Sequence, residues 1–215
     1  MTGITIIGAG SMGRAIGTRA VAAGRRIQLL DRDPDKARSL AVQLGGDILT
    51  GAVGDAPDGD IVVLAVPFES AKAVVRSYGD ALAGRTIVDI SNPVDFATFD
   101  SLVVPPGTSA AEIIADLAPD SASVVKAFNT TFAETLTEGK VAGQPLDVFI
   151  AGDDAEAKRA VANLVEEMGL RPIDVGPLRR AQELEGFQFL MMTLQADLAK
   201  QDFNWNTGLK ILTPI

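Results

Sequence analysis

The sequence contains no cysteine and no histidine among its 215 residues. The absence of thiols excludes disulfides, thiolate nucleophiles and cysteine-ligated metals. The absence of imidazole removes the commonest general base and the commonest metal ligand, so a Ser-His-Asp triad is excluded and no metal site is predicted. Hydride transfer between two bound cofactors is a chemistry that needs neither group.

Basic residues and long apolar runs are also scarce. Lys and Arg number 19 against 28 Asp and Glu, which gives a formal net charge of -9. Non-specific nucleic-acid binding requires a basic face, so no nucleic-acid partner is expected. No apolar run approaches the roughly 20 residues of a membrane span, and no secretory leader pattern opens the sequence. We therefore expect a cytoplasmic protein with small-molecule partners and no membrane partner.

Apolar runs of strand length alternate with helical patterns along the chain. The predicted strands are 4–7, 27–30, 61–66, 86–90, 123–127, 146–151 and 170–175. The predicted helices are 11–23, 34–44, 69–78, 108–117 with Thr108 as its cap, 153–168, and 178 to about 200. This alternation predicts an α/β fold, a Rossmann-type doubly wound and mainly parallel sheet with a small C-terminal helical part. We expect a dinucleotide-binding domain at 1–176 and a helical cap or dimerisation segment at 177–215.

A glycine-rich turn follows the first predicted strand and opens the first predicted helix. Its sequence, Gly8-Ala9-Gly10-Ser11-Met12-Gly13, matches the G-x-G-x-x-G pattern in the context that the pattern requires. In such a turn Gly8 permits the tight bend, Gly10 lets the pyrophosphate approach and Gly13 lets the helix pack against the strand. The sequence therefore predicts a dinucleotide-binding site here.

Charged residues at the end of the second predicted strand bear on the choice between NAD and NADP. Asp31 stands where an acid would accept a hydrogen bond from the ribose 2′-hydroxyl, which favours NAD. Arg32 and Lys36 could instead hold a 2′-phosphate, and Arg32 could also stack on the adenine. They could offset Asp31 if its carboxylate turns to a backbone N–H. Both cofactors remain open at this stage.

Further candidate residues follow the later strands, because ligands bind outside the carboxyl ends of strands in such sheets. These runs are Val66-Pro67-Phe68, Asn92-Pro93 and Ala127-Phe128-Asn129. The proline residues would fix the backbone beside the ribose and nicotinamide, and Asn92 would offer its amide. The alternatives are that the prolines only end strands, that Phe128 belongs to the core and that Asn129 caps a helix.

The sequence resembles the family of NADP-dependent oxidoreductases of the deazaflavin coenzyme F420, over nearly its whole length. The matching stretches are Gly8–Gly13, Val66–Glu69, Ser91–Pro93, Lys126–Thr130, Phe149–Asp154 and Gly169–Leu178. The first half is also similar to the oxidoreductase domain of STEAP-type metalloreductases, which uses a flavin. At position 31 the F420 family often has a small hydroxyl residue, whereas this chain has Asp31.

The resemblance implies a homodimer in which hydride passes between C4 of NADP(H) and C5 of F420. It implies that Ser11, Met12, Arg32 and Lys36 hold the phosphates, and that Pro67 and Asn92 hold the nicotinamide half. It implies no catalytic acid or base, because the protein would act by positioning the two rings.

Two other functions remain open. One is an NAD(P)H-dependent reductase of a flavin or of a small imine or carbonyl substrate. The small substrate would need a proton donor, for which Tyr78 and Lys126 are the candidates. The other is a dinucleotide-sensing module without turnover. The only tryptophan, Trp205, is interpreted as a core or dimer residue in preference to a residue at a second cofactor.

Overall fold

The computed structural model describes residues 3–196, 203 and 205–212. Ten strands lie within these ranges: β1 (Ile4–Ile7), β2 (Ile27–Asp31), β3 (Ile48–Ala52), β4 (Ile61–Leu64), β5 (Thr86–Asp89), β6 (Ser123–Lys126), β7 (Lys140–Val141), β8 (Gln144–Pro145), β9 (Asp147–Gly152) and β10 (Arg171–Gly176). Seven α-helices accompany them: α1 (Ser11–Ala22), α2 (Pro34–Leu44), α3 (Phe68–Tyr78), α4 (Ala110–Ala115), α5 (Ala133–Glu138), α6 (Ala155–Glu167) and α7 (Ala181–Ala196). None of these helices is long and apolar enough to cross a membrane.

Eight of the strands form one sheet in the order β10-β9-β6-β5-β4-β1-β2-β3. Six neighbouring strands of this sheet, β6, β5, β4, β1, β2 and β3, are parallel to one another. In contrast, β9 runs antiparallel to β6, and β10 runs parallel to β9. The predicted Rossmann-type, mainly parallel sheet is confirmed. Its strand order reverses between β1 and β4, where this fold binds its ligands.

The central strands are apolar throughout because helices cover both faces of the sheet. In β1, Ile6 packs into the core that α1 and α6 cover, and its neighbour Ile7 packs into the core beneath α3 and α4. This alternation follows from the two-residue period of a strand. The buried sheet thereby fixes the positions of the turns that follow its strands.

The structure adds three elements that the sequence patterns did not predict. β3 pairs only with β2 at the edge of the sheet, and its half-exposed residues give no continuous apolar run. α5 spans only six residues, and the hairpin of β7 and β8 pairs only two residues of each strand. Elements this short carry too few periods for a pattern to be recognised.

Two predicted helix ends are wrong. α4 begins at Ala110, and its cap is Ser109 instead of Thr108, because the Ser109 hydroxyl accepts from the Glu112 N–H and donates to the Glu112 carboxylate. A side chain that accepts from the third N–H of the helix marks the N-cap residue, and Thr108 lies one residue too early to make this bond. A 3₁₀ turn, Leu178–Arg180, precedes α7. The predicted end of the last helix near residue 200 lies outside the described residues.

Residues 205–212, here called the C-terminal segment, lie against α5 and β9. The Thr135 hydroxyl donates to the Thr207 carbonyl, 3.0 Å away. The Asp147 carboxylate accepts from the Lys210 ammonium at 2.6 Å and from the Ile211 N–H at 2.8 Å. These bonds hold the segment beside the carboxyl end of the sheet.

Candidate active site

Two cavities lie at the carboxyl ends of the strands, on either side of the start of α1. The first cavity has a volume of about 500 Å³ and is lined by Gly8, Ala9, Gly10, Asp31, Arg32, Lys36, Val53, Ala65, Val66, Pro67, Ser70, Ala73, Val74 and Ser77. The second cavity has a volume of about 370 Å³ and is lined by Ser11, Met12, Ile90, Asn92, Phe128, Asn129, Thr131, Phe132, Ala133, Glu134, Gln188, Met192 and Trp205. Twelve of the sixteen predicted site residues line one cavity or the other; Gly13, Phe68, Pro93 and Ala127 do not.

Glycine occupies three positions of the turn for a different physical reason at each. Gly8 has a φ of +115°, and a Cβ there would overlap the carbonyl oxygen of Ala65. A Cβ on Gly13 would overlap the carbonyl oxygen of Gly8, so close packing requires this glycine. Gly10 has an ordinary φ of -81°, and a Cβ there would meet nothing within 4 Å. The open space above Gly10 faces the first cavity and is suited to a ligand such as a pyrophosphate.

The N-terminus of α1 lies between the two cavities. This 12-residue helix has no acidic residue in its first turn, and its cap residue Gly10 has no side chain to accept from the first N–H groups. The partial positive charge at this end therefore favours an anion. Gly10 borders the first cavity while Ser11 and Met12 border the second, so an anion bound here would bridge them.

The Asp31 carboxylate is directed to the backbone. One oxygen accepts from the Ala9 N–H at 2.8 Å, and the other accepts from the Asp33 N–H at 3.0 Å. Arg32 and Lys36 are exposed beside the same cavity, and neither forms an ion pair with any described residue. The cavity therefore presents two unpaired cations, while its acid ties the end of β2 to the glycine turn.

Two side-chain amides join the ends of β5 and β6. Asn92 Nδ2 donates to the Asn129 carbonyl at 2.9 Å, and Asn129 Nδ2 donates to Asn92 Oδ1 at 3.0 Å. Asn129 Oδ1 is buried and has no partner among the described residues. Phe128, which precedes Asn129 in the chain, has a φ of +61° although it is not glycine. A strained residue beside an unsatisfied acceptor is typical of a ligand-binding site.

Comparison with known proteins agrees with this geometry. Residues 3–93 match the family described as NADP oxidoreductase, coenzyme F420-dependent. A solved structure titled as a putative F420-dependent NADP reductase from Arthrobacter sp. FB24 superposes with a TM-score of 0.80 and 29% identity, over 97% of this chain and 100% of that one. The chain is therefore similar to this family in sequence over residues 3–93 and in fold over nearly its whole length.

Two curated relatives show how far the family likeness extends. The F420-dependent NADP reductase of Methanocaldococcus jannaschii is 27% identical over 202 residues, which are 90% of this chain and 87% of the relative. Metalloreductase STEAP3 of Rattus norvegicus is 31% identical over 189 residues, 88% of this chain. The chain spans only 37% of that metalloreductase's length.

Four predicted site residues lie beneath the cavities instead of lining them. Phe68 is the first residue of α3 and is buried, with the Lys72 ammonium 4.6 Å from the centre of its ring. Gly13, Pro93 and Ala127 are also buried. These four residues therefore support the site through the shape of the backbone and not through contact with a bound ligand.

A buried ionic cluster was not predicted from the sequence. The Lys126 ammonium donates to Asp89 Oδ2 at 2.7 Å, to Glu185 Oε1 at 2.7 Å and to the Ser91 carbonyl at 2.6 Å. Burial alone would lower the pKa of Lys126, but the two carboxylates outweigh it and raise that pKa above its usual value. All three N–H donors of the ammonium group are engaged in these hydrogen bonds, so Lys126 is not placed to donate a proton to a substrate.

Tyr78, the other candidate proton donor, also lies outside the second cavity. Its hydroxyl accepts from the Gly54 N–H at 2.9 Å, at the end of α3 behind the first cavity. Burial raises the pKa of the Tyr78 hydroxyl. Neither candidate can therefore act as a general acid in the second cavity.

Trp205 lies at the second cavity, so its interpretation as a core residue is wrong. The residue is 41% exposed, and its ring meets that of Phe132 edge-on, with the ring centres 5.5 Å apart. Its backbone N–H donates to Gln195 Oε1 at 2.8 Å, and its φ is +63°. Sequence spacing gave no signal for this placement, because the residue reaches the cavity on the C-terminal segment.

Proposed function

We propose that this chain is an oxidoreductase that transfers a hydride between NADP(H) and coenzyme F420. A hydride would move between C4 of the nicotinamide and C5 of the deazaflavin, and the deazaflavin would take up one proton from solvent when it is reduced and release one when it is oxidised. The similarity to F420-dependent NADP oxidoreductases supports this chemistry, and the first cavity offers a place for the nucleotide half of NADP(H) while the second offers a place for the two reacting rings. The protein's own contribution would be positioning and exclusion of water.

The observation that carries the proposal is the chemical character of the second cavity. Among the described residues that line it, Glu134 is the only charged one and none is Lys, Arg or Tyr. A small phosphate or carboxylate substrate would find no cation there, and a carbonyl or imine would find no positioned general acid. A ring that accepts a hydride at a carbon atom needs neither a cation nor a positioned general acid. A small-substrate reductase is therefore disfavoured.

The first cavity supports NADP as the nucleotide. Asp31 would oppose a 2′-phosphate if its carboxylate faced the ribose, but both of its oxygens accept backbone N–H groups instead. Arg32 would hold the phosphate by paired hydrogen bonds, and Lys36 would add a second positive charge. The nucleotide half would then occupy the first cavity.

The pyrophosphate would bind where the two cavities meet. Gly8, Gly10 and the first N–H groups of α1 would hold it, and the nicotinamide would then lie beside the paired amides of Asn92 and Asn129. The unpartnered Asn129 Oδ1 would accept from the nicotinamide carboxamide N–H, a bond that the protein alone leaves unmade.

The decisive measurement mixes the protein with NADPH and oxidised F420 and follows the visible absorbance of the deazaflavin. We expect the absorbance to bleach in a protein-dependent manner. Tight binding of NADPH without bleaching would remove F420 as the reactant and favour a dinucleotide-sensing module. Bleaching should persist in Tyr78→Phe, because that hydroxyl lies outside the second cavity.

We also propose that residues 177–215 form the dimerisation part of the molecule. Phe187 and Leu190 on α7 expose 38% and 57% of their surface, which is unusual for large apolar side chains on one helix. Light scattering should give twice the chain mass of 22.4 kDa. A monomer at micromolar concentration would contradict this proposal.

A further inference from the structure

The buried face of α7 is polar, and one of its polar side chains has no partner. Glu185, Gln188 and Gln195 are each no more than 4% exposed. Glu185 accepts from Lys126 and from the Ala110 N–H, and Gln195 accepts from the Trp205 N–H. Gln188 is 2% exposed, lines the second cavity and makes no hydrogen bond within the described structure. Its amide borders the cavity without a hydrogen-bond partner among the described residues, so both its donor and its acceptor are available to a ligand.

The surroundings of Gln188 restrict the kind of ligand it can meet. Aromatic and aliphatic side chains form most of the cavity wall, among them Phe128, Phe132 and Trp205. Such a wall favours a flat, apolar ring. Because no described Lys or Arg borders the cavity, the edge that faces Gln188 has no strong reason to carry a negative charge.

A side-chain amide presents an N–H donor and a carbonyl acceptor side by side. The matching partner is an edge with an acceptor next to a donor, as in a cyclic imide, where a ring N–H lies between two carbonyls. We propose that Gln188 recognises the imide edge of the second ring reactant in this cavity. Deazaflavins and flavins share this edge, so the assignment deepens the proposed function without depending on which of the two is bound.

The first test uses lumiflavin and its N3-methyl derivative, in which methylation removes the imide N–H. Trp205 is the only tryptophan of the chain and borders the cavity, so quenching of its fluorescence reports binding directly. With NADP⁺ present, we expect the intact protein to bind lumiflavin about three- to tenfold more tightly than the methylated ring, the range of one neutral hydrogen bond. Gln188→Leu should bind both rings equally.

A matched control is Gln43→Leu, which makes the same change on the exposed face of α2, away from both cavities. It should discriminate between the two rings as the intact protein does. If Gln188→Leu keeps the discrimination, or if the intact protein shows none or binds neither ring, the imide assignment is overturned.

The second test separates this inference from the proposed function. In steady-state reduction of F420, Gln188→Leu should raise KM for F420 about three- to tenfold and leave KM for NADPH unchanged. A rise only in KM for NADPH would show that Gln188 holds the nicotinamide instead, and it would overturn the inference while F420 reduction stands. If the intact protein does not reduce F420 but discriminates between the two lumiflavins, the proposed function fails and the imide assignment survives.

Discussion

At the scale of single residues, cofactor choice depends on where the Asp31 carboxylate points. An acid at this place normally competes with a 2′-phosphate, since two negative charges about 4 Å apart repel by several kcal/mol at an effective dielectric of about 20. Here the carboxylate accepts hydrogen bonds from the backbone N–H groups of Ala9 and Asp33, so it stabilises the glycine turn. Residue identity alone therefore does not predict specificity at this position; the hydrogen-bond partners do.

Arg32→Ala tests this assignment. We expect Kd for NADPH to rise roughly ten- to a hundredfold, the range of a lost charge-assisted hydrogen bond, and Kd for NADH to change little. Titration calorimetry with both nucleotides measures this difference. Arg38→Ala, which removes an exposed arginine of α2 that pairs with Asp35 and borders neither cavity, is the control. Equal losses for NADPH and NADH in Arg32→Ala would contradict the assignment.

At the scale of elements, sequence patterns predicted the long strands and helices and the glycine turn, since these repeat with a period or occur at fixed spacing. They did not predict the contacts that arise between distant elements. Lys126 looks from the sequence like any lysine at a strand end, and its partner Glu185 follows 59 residues later on α7. Nor could the pattern distinguish Gln188, whose burial becomes evident only once α7 is packed over the sheet.

The Lys126 cluster joins β5, β6, α4 and α7, and Lys126→Met should therefore destabilise the fold strongly. The substitution leaves Asp89 and Glu185 buried without a cation, which typically costs about 3–5 kcal/mol. Urea unfolding followed by circular dichroism measures the free energy of unfolding. The comparator is Lys158→Met, which removes a more exposed ion pair with Asp174 and should cost about 1 kcal/mol or less. Similar losses in the two variants would show that the buried cluster does not stabilise the fold.

At the scale of the whole molecule, the second cavity is assembled from distant parts of the chain. The turns that follow β5 and β6 supply Asn92 and Asn129, α7 supplies Gln188, and the C-terminal segment supplies Trp205. The segment is tied to β9 by Asp147, which accepts from Arg171, Lys210 and the Ile211 N–H. The shape of the second cavity therefore depends on a carboxylate that lies outside it.

This dependence predicts an acid-sensitive cavity wall. Burial would raise the pKa of Asp147, but hydrogen bonds from Arg171, Lys210 and Ile211 outweigh it and hold that pKa below the usual 3.8. Because the folded-state pKa is lowered, the stabilisation is present above the usual value and is lost as the pH falls through the lowered one. Trp205 emission should then change below pH 3.8 while far-ultraviolet circular dichroism is still native.

Asp147→Asn should produce the same change of Trp205 emission already at neutral pH, because a neutral amide cannot pair with both Arg171 and Lys210. Asp174→Asn, which alters an ion pair with Lys158 away from the C-terminal segment, should leave the emission unchanged. If Asp147→Asn has native emission at neutral pH, the segment is held by its other contacts, such as the Thr135–Thr207 hydrogen bond. The expected result would instead show that one buried carboxylate, through the chain it anchors, keeps an aromatic wall in place at the mouth of the second cavity.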